Sequence, residues 1–445
     1  MDLTSLKNKI ETKEAKLAVI GLGYVGLPVA CTFAEAGFDV LGVDVLEVRV
    51  GKINAGESPI EGDEPGLQAL IEKVIGAKLL RATTDYDDLS DRDVILISVE
   101  TPVDEHNKPR YKALKAVLAS LGPVLKEGAL VIIESTIAPG TMDKLVRPAL
   151  EESSGRKLNE GFSLGNCPER VMPGRLLENL RTLSRVVGGM SPQTAEAMVA
   201  LYAHIVQGDL DPTDATTAEL VKTAENAYRD VQIAFANEVA LISEAVGGDV
   251  WKVRELVNKS PGRYMLLPGA GVGGHCIPKD PWLLAHGADG QDIDLRLIPA
   301  ARAINDGMPA HIADLLEDAL NEAGRAMKDA VVLVMGYAYL ENSDDTRNSP
   351  SATLVKELKK RSAQTRVHDP FVKDYNGDLL AMAEGCDAAV LMVKHDAYRE
   401  LDFAALDQAL RTDIFIDGRG MYTGEDDFAG LSFQLVGRGS HSQKR

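Results

Sequence analysis

Lys16-Leu-Ala-Val-Ile-Gly-Leu-Gly-Tyr-Val-Gly26, KLAVIGLGYVG, runs four apolar residues straight into a GxGxxG spacing, and LPVACTFAEAG continues from it with a helix-like pattern. An apolar run without polar alternation reads as a strand covered on both faces, the habit of a parallel sheet between two layers of helices. Glycine at 21 makes the tight turn off the strand. Glycine at 23 lets backbone N–H groups approach a pyrophosphate at the helix N-terminus, and glycine at 26 lets helix and strand pack closely. Gly21, Gly23, Tyr24, Val25 and Gly26 are therefore the expected dinucleotide loop. The next apolar run, FDVLGVD, ends in Asp44, twenty-three residues after Gly21, where a carboxylate meets the ribose hydroxyls of a dinucleotide. Acid at that place repels a 2′-phosphate, so the expected cofactor is NAD rather than NADP, with Arg49 nearby as the opposing sign.

Further along, DVILISVETP and ALVIIESTIAPG repeat the theme of short Val, Ile and Leu runs separated by helical lengths, so the first two hundred or so residues read as one α/β domain. The texture changes at Asp211-Pro212-Thr213-Asp214, a cluster of capping residues ahead of ATTAELVKTAENAYRDVQIAFANEVALISEAVGG. Leu220, Val221, Ala224, Tyr228, Val231, Phe235, Val239 and Ile242 recur there at helical spacing until Gly247-Gly248. About thirty residues at 1.5 Å each make a rod about 45–50 Å long, suited to linking two domains and to meeting a second subunit. After a further helical stretch through Arg302, strand signals return in AVVLVMGYAY, TRVHDP, DAAVLMVKH and DIFIDGRG, a second α/β unit. The expected fold is α/β: two Rossmann-like, doubly wound parallel-sheet domains joined by a central helical domain with one long helix, bounded at 1–212, 213–312 and 313–445.

A chain of 445 residues exceeds one simple core, and 45% hydrophobic with 26% charged residues is the make-up of a globular protein rather than a disordered one. A formal charge of −19 and a pI near 4.9 argue against nucleic acid as a partner, since that affinity comes from lysine and arginine displacing counterions. Cys31, Cys167, Cys276 and Cys386 lie far apart with no metal-ligand spacing, so no metal is expected and the thiols read as separate and reduced. MDLTSLKNKIETKEAK lacks an apolar signal core, and no stretch reaches the roughly 18 apolar residues that span a bilayer. The expectation is a cytoplasmic protein with no membrane partner, in which only the tail GRGSHSQKR is disordered.

A second stretch carries chemistry: Gly271-Val-Gly-Gly-His-Cys-Ile-Pro-Lys-Asp-Pro-Trp282. Cysteine attacks as thiolate, which a helix N-terminus or a nearby lysine favours. Asp280-Pro281 has the form of an N-cap followed by proline at the first helical position. That puts Cys276 just ahead of a helix start, beside Lys279, in a loop whose glycines allow a substrate to come close. Local chemistry alone leaves a reactive cysteine and a small packed one equally open. The dinucleotide loop adds a constraint. A thiol can hold an aldehyde as a thiohemiacetal, whose hydride passes to NAD⁺ and leaves a thioester for water to hydrolyse. Cysteine together with a hydride acceptor is explained best by a substrate that is taken to an acid.

GVGGHCIPKDPW, the helix AELVKTAENAYRDVQIAFANEVA and the segment NCPERVMPGR resemble the nucleotide-sugar 6-dehydrogenases, the family of UDP-glucose, GDP-mannose and UDP-N-acetyl-mannosamine dehydrogenases, and the resemblance runs from Lys16 to about Gly420. It implies an N-terminal NAD domain, a central helix carrying a homodimer contact, and a C-terminal domain that holds the nucleotide of a UDP-sugar. It also implies oxidation of the C6 alcohol to a carboxylate with two NAD⁺ and one water. Cys276 matches the family nucleophile. Lys222 and Asn226, one helical turn apart, match a pair that holds negative charge on the C6 oxygen as an oxyanion hole does. By the same resemblance Asp280 orients water or moves a proton, Glu169 is the base near the sugar, and Arg170 and Gly273 stand at the substrate. Thr101 and Thr136 fall beside the nicotinamide, Thr136 within the catalytic group, and Lys279 joins the cofactor set. Arg347 in SDDTRNSP reaches cofactor or nucleotide, and Arg263 in SPGRYMLLPG corresponds to an arginine donated by a neighbouring subunit.

Plainer readings stand beside these. Lys222 and Asn226 also fit a solvated helix face, Glu169-Arg170 a surface ion pair of little energy, Thr136 a strand end, and His275 a structural neighbour of the cysteine. PERVMPG in place of the PEFLxEG of glucose-oxidising members, with YRDVQIAFANE and GHCIP, resembles the branch acting on UDP-N-acetylhexosamines, UDP-N-acetyl-D-mannosamine above all. UDP-N-acetylglucosamine and UDP-glucose are the other candidates. Two positions depart from the pattern: Lys279, often valine in that branch, and Leu340, where the family usually has a lysine that a leucine cannot replace against phosphate. Outside the family, a two-electron β-hydroxyacid dehydrogenase accounts for Lys222 and Asn226 but gives Cys276 and the second α/β unit no task, and a non-catalytic NAD-binding protein needs none of these side chains.

Overall fold

The computed structural model describes residues 3–60, 62, 64–171, 174–422 and 426–439. The expected disorder of the last residues, 440–445, and Met172-Pro173 of the PERVMPG stretch lie outside the described residues. Two compact units form, Met1–Glu225 with Trp282–Asp292, and Asn226–Pro281 with Ile293–Arg445.

In the first unit KLAVI becomes β1 (Leu17–Ile20), followed by β2 (Val40–Val43), β3 (Leu80–Thr83), β4 (Val94–Ile97), β5 (Ala129–Ile133), β6 (Phe162–Asn166), β7 (Arg185–Gly189) and β8 (Leu210–Asp214). They join one sheet in the order β3-β2-β1-β4-β5-β6-β7-β8. Leu17 and Val19 enter one core, Ala18 and Ile20 the other, so the continuous apolar runs are explained by two covered faces. One pairing departs from the expected parallel pattern: β6 and β7 run antiparallel at Gly165↔Gly189 and Asn166↔Gly188. Apolar runs do not encode strand direction. The charged N-terminus also hides a helix, Leu3–Glu11, whose Leu6 and Ile10, one turn apart, are fully buried.

The second unit holds β9 (Val331–Met335), β10 (Gln364–His368), β11 (Ala388–Leu391), β12 (Ile414–Asp417) and β13 (Ser432–Leu435), all parallel, in the order β10-β9-β11-β12-β13. Val332 and Val334 face one core and Leu333 and Met335 the other. Gly437–Gly439, expected as disordered tail, are ordered instead: Arg438 bridges to Asp249 and the Gly437 amide donates to Glu244.

The long helix spans Ala215–Val246, 32 residues, beginning in the first unit and ending in the second. Asp211–Asp214 turn out to be strand as well as cap. Pro212 sits in the edge strand β8, where a missing N–H is tolerated, and Asp214 accepts the Thr217 amide at 2.9 Å. At the far end Gly247 adopts φ +80°, with the Gly248 amide on the Ser243 carbonyl and the Gly247 amide on that of Glu244, a Schellman stop. The apolar periodicity of this helix has an unexpected direction. Leu220, Tyr228, Phe235, Ile242 and Val246 are exposed, Tyr228 at 65% and Val246 at 72%, while the buried face is Glu219, Lys222, Thr223, Asp230, Asn237 and small residues. In the second unit this polar face is satisfied by a neighbour, the helix Leu297–Glu322. Arg302 and Asn305 each donate to Asp230 Oδ1 at 2.7 Å, Asn237 donates to Asn305 at 2.9 Å, and the Gly269 amide donates to Asn237 at 2.9 Å. Among the described residues no helix is long and apolar enough to cross a membrane.

Candidate active site

The glycine loop leaves β1 at the carboxyl edge of the first sheet, beside the ends of β4 and β5, where the strand order reverses and ligands of such sheets gather. Gly21 has φ +90°, and a Cβ there would stand 2.3 Å from the Ser98 carbonyl oxygen; one on Gly26 would stand 1.9 Å from the Gly21 oxygen. These two glycines are required by the turn itself. A Cβ on Gly23 would meet nothing within 4 Å, so the space over Gly23, before the helix Gly26–Glu35, is a cradle the protein does not fill. That is the fit expected for a dinucleotide pyrophosphate.

Asp44 is buried at the end of β2 and its carboxylate accepts the Leu22 amide at 2.9 Å, the Leu46 amide at 3.0 Å and Arg49 Nη1 at 2.9 Å. It thus braces the glycine loop from below while Arg49 compensates its charge. A carboxylate has about four acceptor positions, so one is left for a ribose hydroxyl. Thr101 Oγ1 donates to the Thr136 carbonyl at 2.6 Å, and Ser135 bonds both the amide and the carbonyl of Val99, which stitches the ends of β4 and β5 together. Glu134, one residue before, is fully buried, with Tyr202 donating at 2.8 Å and Arg185 at 3.5 Å; burial pushes its carboxyl up.

Glu169 follows β6, and its carboxylate accepts the Val171 amide. It makes no pair with Arg170. Arg170 turns to Glu225 on the long helix, at 2.6 Å, and donates to the Ser184 carbonyl at 2.8 Å. Lys222 is buried one turn away on that helix. Glu219, in the turn before it, accepts the Gly140 and Met142 amides at 2.6 and 2.7 Å and so fastens the ESTIAPG loop to the helix; burial pushes its carboxyl up to about 7.

In the second unit the glycines of GVGGHC are pressed against distant chain. A Cβ on Gly273 would lie 2.7 Å from the Tyr339 Cβ and 2.8 Å from the Asn348 oxygen, and one on Gly274 would lie 2.7 Å from the Tyr339 ring. Packing against Tyr339 and Asn348 by itself demands glycine there. The Gly274 amide donates to the Arg347 carbonyl at 2.9 Å, and Asn348 donates back to the Gly274 carbonyl at 3.0 Å. Arg347 forks onto Asp345 through Nε at 2.9 Å and Nη2 at 2.5 Å, and this bond is the chief reason its guanidinium is held even more firmly protonated, with Tyr339 and Cys276 adding to the effect.

The Cys276 carbonyl accepts the amides of Lys279 and Asp280 and closes a turn into the helix Asp280–His286. Asp280 is therefore the first helical residue rather than the cap. Its carboxylate, wholly buried, faces sideways: Asn226 Nδ2 donates to Oδ2 at 2.6 Å, and Lys279 Nζ lies 3.2 Å from Oδ1. Lys279, read from sequence as the cysteine's neighbour, also pairs with Asp280. His275 is pushed down, first by burial and then by the Lys279 and Arg347 cations, which keeps it neutral near pH 7. Arg263 is exposed and donates to the Pro261 carbonyl at 2.9 Å. Of the four cysteines, Cys276 alone is partly exposed; the Cys31 and Cys167 thiols are pushed up by burial to about 12 and about 11, and Cys386 is raised as well.

Each unit therefore assembles part of the expected set. Gly21 to Gly26, Asp44, Arg49, Thr101, Thr136, Glu169, Arg170 and Lys222 belong to the first, and Asn226, Arg263, Gly273, Cys276, Lys279, Asp280 and Arg347 to the second. The positioning groups Glu219, Asp230, Asn237 and Arg302 were not singled out from the sequence. For Glu219, Asp230 and Asn237 the one signal was a charged or amide residue recurring at helical spacing on the face of the long helix opposite its large apolar residues.

Residues 15–206 match the description "UDP-glucose/GDP-mannose dehydrogenase family, NAD binding domain", residues 216–307 the central domain of that family and residues 333–424 its UDP binding domain. The chain is 39% identical over 424 residues to the UDP-N-acetyl-D-mannosamine dehydrogenase of Pyrococcus horikoshii, covering 95% of this chain and 99% of that one, and the solved structure of that enzyme matches with a TM-score of 0.90. It is 36% identical to the NDP-N-acetyl-D-galactosaminuronic acid dehydrogenase of Ralstonia nicotianae, over 92% of this chain and 96% of that one. A crystal structure of an enzyme of the same name from Methanosarcina mazei matches at 36% identity and a TM-score of 0.87, covering 100% of this chain and 99% of that one.

Proposed function

The chain belongs to the UDP-glucose/GDP-mannose dehydrogenase family as an NAD-dependent nucleotide-sugar dehydrogenase, and from that premise we propose that it oxidises the C6 alcohol of UDP-N-acetyl-D-mannosamine to the carboxylate in two steps through Cys276. NAD⁺, when bound along Gly21–Gly26, supplies the hydride acceptor, used once per step. In the first step C6 loses a hydride and its hydroxyl loses a proton to Glu169, giving the aldehyde. Cys276 Sγ then adds to C6 while the C=O double bond opens and the thiol's proton ends on that oxygen, giving a thiohemiacetal. Loss of a second hydride from C6 and of the hydroxyl proton restores the C=O bond and leaves a thioester. Water adds to this thioester, the C–S bond breaks, and the acid and the free thiol are left.

Lys222 brings a buried ammonium, and Asn226 the amide hydrogen not spent on Asp280, to the negative charge on the C6 oxygen. Asp280, held by Asn226 and Lys279, takes a proton from the hydrolytic water. Thr101 and Thr136 line the nicotinamide end, Arg347 reaches cofactor or nucleotide, and Arg263 serves the substrate of a neighbouring subunit. We assign the domains to 1–212, 213–312 and 313–445, and a homodimer to the exposed apolar stripe of the long helix.

The observation that carries the covalent route is the accessibility of Cys276 beside the Asn226–Asp280 pair, against three buried cysteines. The test incubates protein and NAD⁺ with UDP-N-acetylmannosamine, UDP-N-acetylglucosamine, UDP-N-acetylgalactosamine and UDP-glucose, and counts NADH per sugar consumed. Two per sugar, fastest with the mannosamine derivative, is the expected result. One per sugar indicates a two-electron dehydrogenase. Cys276→Ser is expected to bind the sugar but lose acid formation by more than about 100-fold. Full acid production by that variant rules the thioester out.

A further inference from the structure

The second sheet has its own point of reversal. From β9 the chain goes to β10 on one side and then crosses to β11 on the other, so a ligand of this sheet belongs in the crevice outside the carboxyl ends of β9 and β11. Met335 and Leu391 pair at those ends, and the Met392 amide donates to the Met335 carbonyl at 2.8 Å. The segments that leave them are pressed together: Gly336 has φ +88°, and a Cβ there would stand 2.5 Å from the Val393 Cβ. The first segment runs on to Leu340 and Glu341, the second to Lys394.

Lys394 is half-buried, and its ammonium lies 5.7 Å from the centre of the Trp251 ring. That ring is held in place, since Trp251 Nε1 donates to the Val436 carbonyl at 2.9 Å and a Cβ on Gly420 would stand only 2.3 Å from it. Among the described residues Lys394 has no ion pair and no hydrogen bond. Burial is the chief reason its ammonium is pushed down; Asp417 and then Glu341 oppose this, while Arg419 and Arg399 add to it. The Asp417 carboxylate is already spent. Its Oδ1 accepts the Arg419 and Gly420 amides at 2.7 and 2.8 Å and its Oδ2 the Met421 and Tyr422 amides at 2.7 and 3.0 Å, which fills about four acceptor positions. Arg399 is paired with Asp396 at 2.6 Å, and Arg419 donates to the Met392 and Gly271 carbonyls at 2.7 and 3.0 Å.

A partly desolvated ammonium without a counter-ion is costly, and an anion that enters the crevice removes that cost. A diphosphate suits the position: it is ionised throughout the neutral range and offers several oxygens to the three donors of a lysine. Leu340, where a lysine was expected, brings no charge to the segment beside it. We propose that Lys394 holds the diphosphate of the UDP-sugar at the carboxyl ends of β9 and β11. This rests on the reading of the chain as a UDP-sugar dehydrogenase whose second sheet takes the nucleotide.

The test titrates the full-length protein with UDP by calorimetry and with uridine by NMR, so that the phosphates are present in one ligand and absent from the other. Lys394→Met, which keeps the length of the side chain and removes the charge, is expected to weaken UDP about tenfold or more and to change uridine by less than about twofold. NADH binding and the melting temperature are expected to stay near wild type. Lys394→Gln serves if Lys394→Met does not fold. A loss of UDP affinity smaller than about threefold in a folded variant, or an equal loss for UDP and uridine, overturns the proposal. Wild-type protein that does not bind UDP overturns the functional reading instead.

Discussion

At Gly23 the protein leaves open the volume that a Cβ would take, whereas at Gly21 and Gly26 its own backbone occupies it. Three glycines of one motif therefore answer to different forces, and substitution separates them. Gly23→Ala is expected to keep the wild-type melting temperature and raise the KM for NAD⁺ about tenfold or more, because the methyl stands only in the path of the pyrophosphate. Gly26→Ala is expected to cost about 1–3 kcal/mol or to prevent folding, since backbone at 1.9 Å cannot give way. Thermal melts and NAD⁺ saturation curves decide between them. The same contrast applies at Gly273, where Tyr339 and Asn348 occupy the space: Gly273→Ala is expected to lower the melting temperature, which a glycine kept only for substrate would not do. The motif was legible because its chemistry lies within six consecutive residues. The reason for Gly273 was not, because the atoms that demand it belong to residues far along the chain.

Elements in this protein are fastened by buried carboxylates, and Glu219 makes the fastening sensitive to pH. Burial, with Asp143 adding and the Met142, Gly140 and Thr141 amides opposing, raises its carboxyl from 4.5 to about 7, and the Tyr111 phenol also faces it. The folded state then holds this proton more tightly than the unfolded chain. The stability contributed by Glu219 is full below pH about 4.5 and is lost as pH rises through about 7, by about 3 kcal/mol in all. Glu219→Gln cannot ionise. Urea unfolding at pH 5 and pH 8 is expected to show a smaller difference between the two pH values in this variant than in wild type; an equal difference places the titration elsewhere. Helix limits at 215 and 246 were readable from Asp214 and Gly247, since capping is decided by neighbours. The antiparallel β6–β7 pairing and the buried helix Leu3–Glu11 were not, since direction and burial are decided by partners distant in sequence.

For the whole molecule, the outward stripe of Leu220, Tyr228, Phe235, Ile242 and Val246 places large apolar side chains on the surface of a single chain. Sedimentation is expected to give a dimer for wild type, and a monomer of unchanged helix content for Tyr228→Glu combined with Phe235→Glu. A monomeric wild type, or a dimer that survives both charges, removes this helix as the interface. The sequence by itself determined what is local: two α/β segments around one long helix, a GxGxxG loop with an acidic residue at the end of the next strand, and a cysteine set among glycines just ahead of a helix start. Each of these is written in adjacent residues or in a repeat of two or 3.6. Only the tertiary structure decided that the large apolar side chains of the long helix point outward and its polar face is buried, and that Cys276 alone of the four cysteines is partly exposed. It also decided that Glu219 and Asp230 each join segments far apart in sequence. Periodicity marks which residues share a face, but which way that face turns depends on what else the chain brings to it.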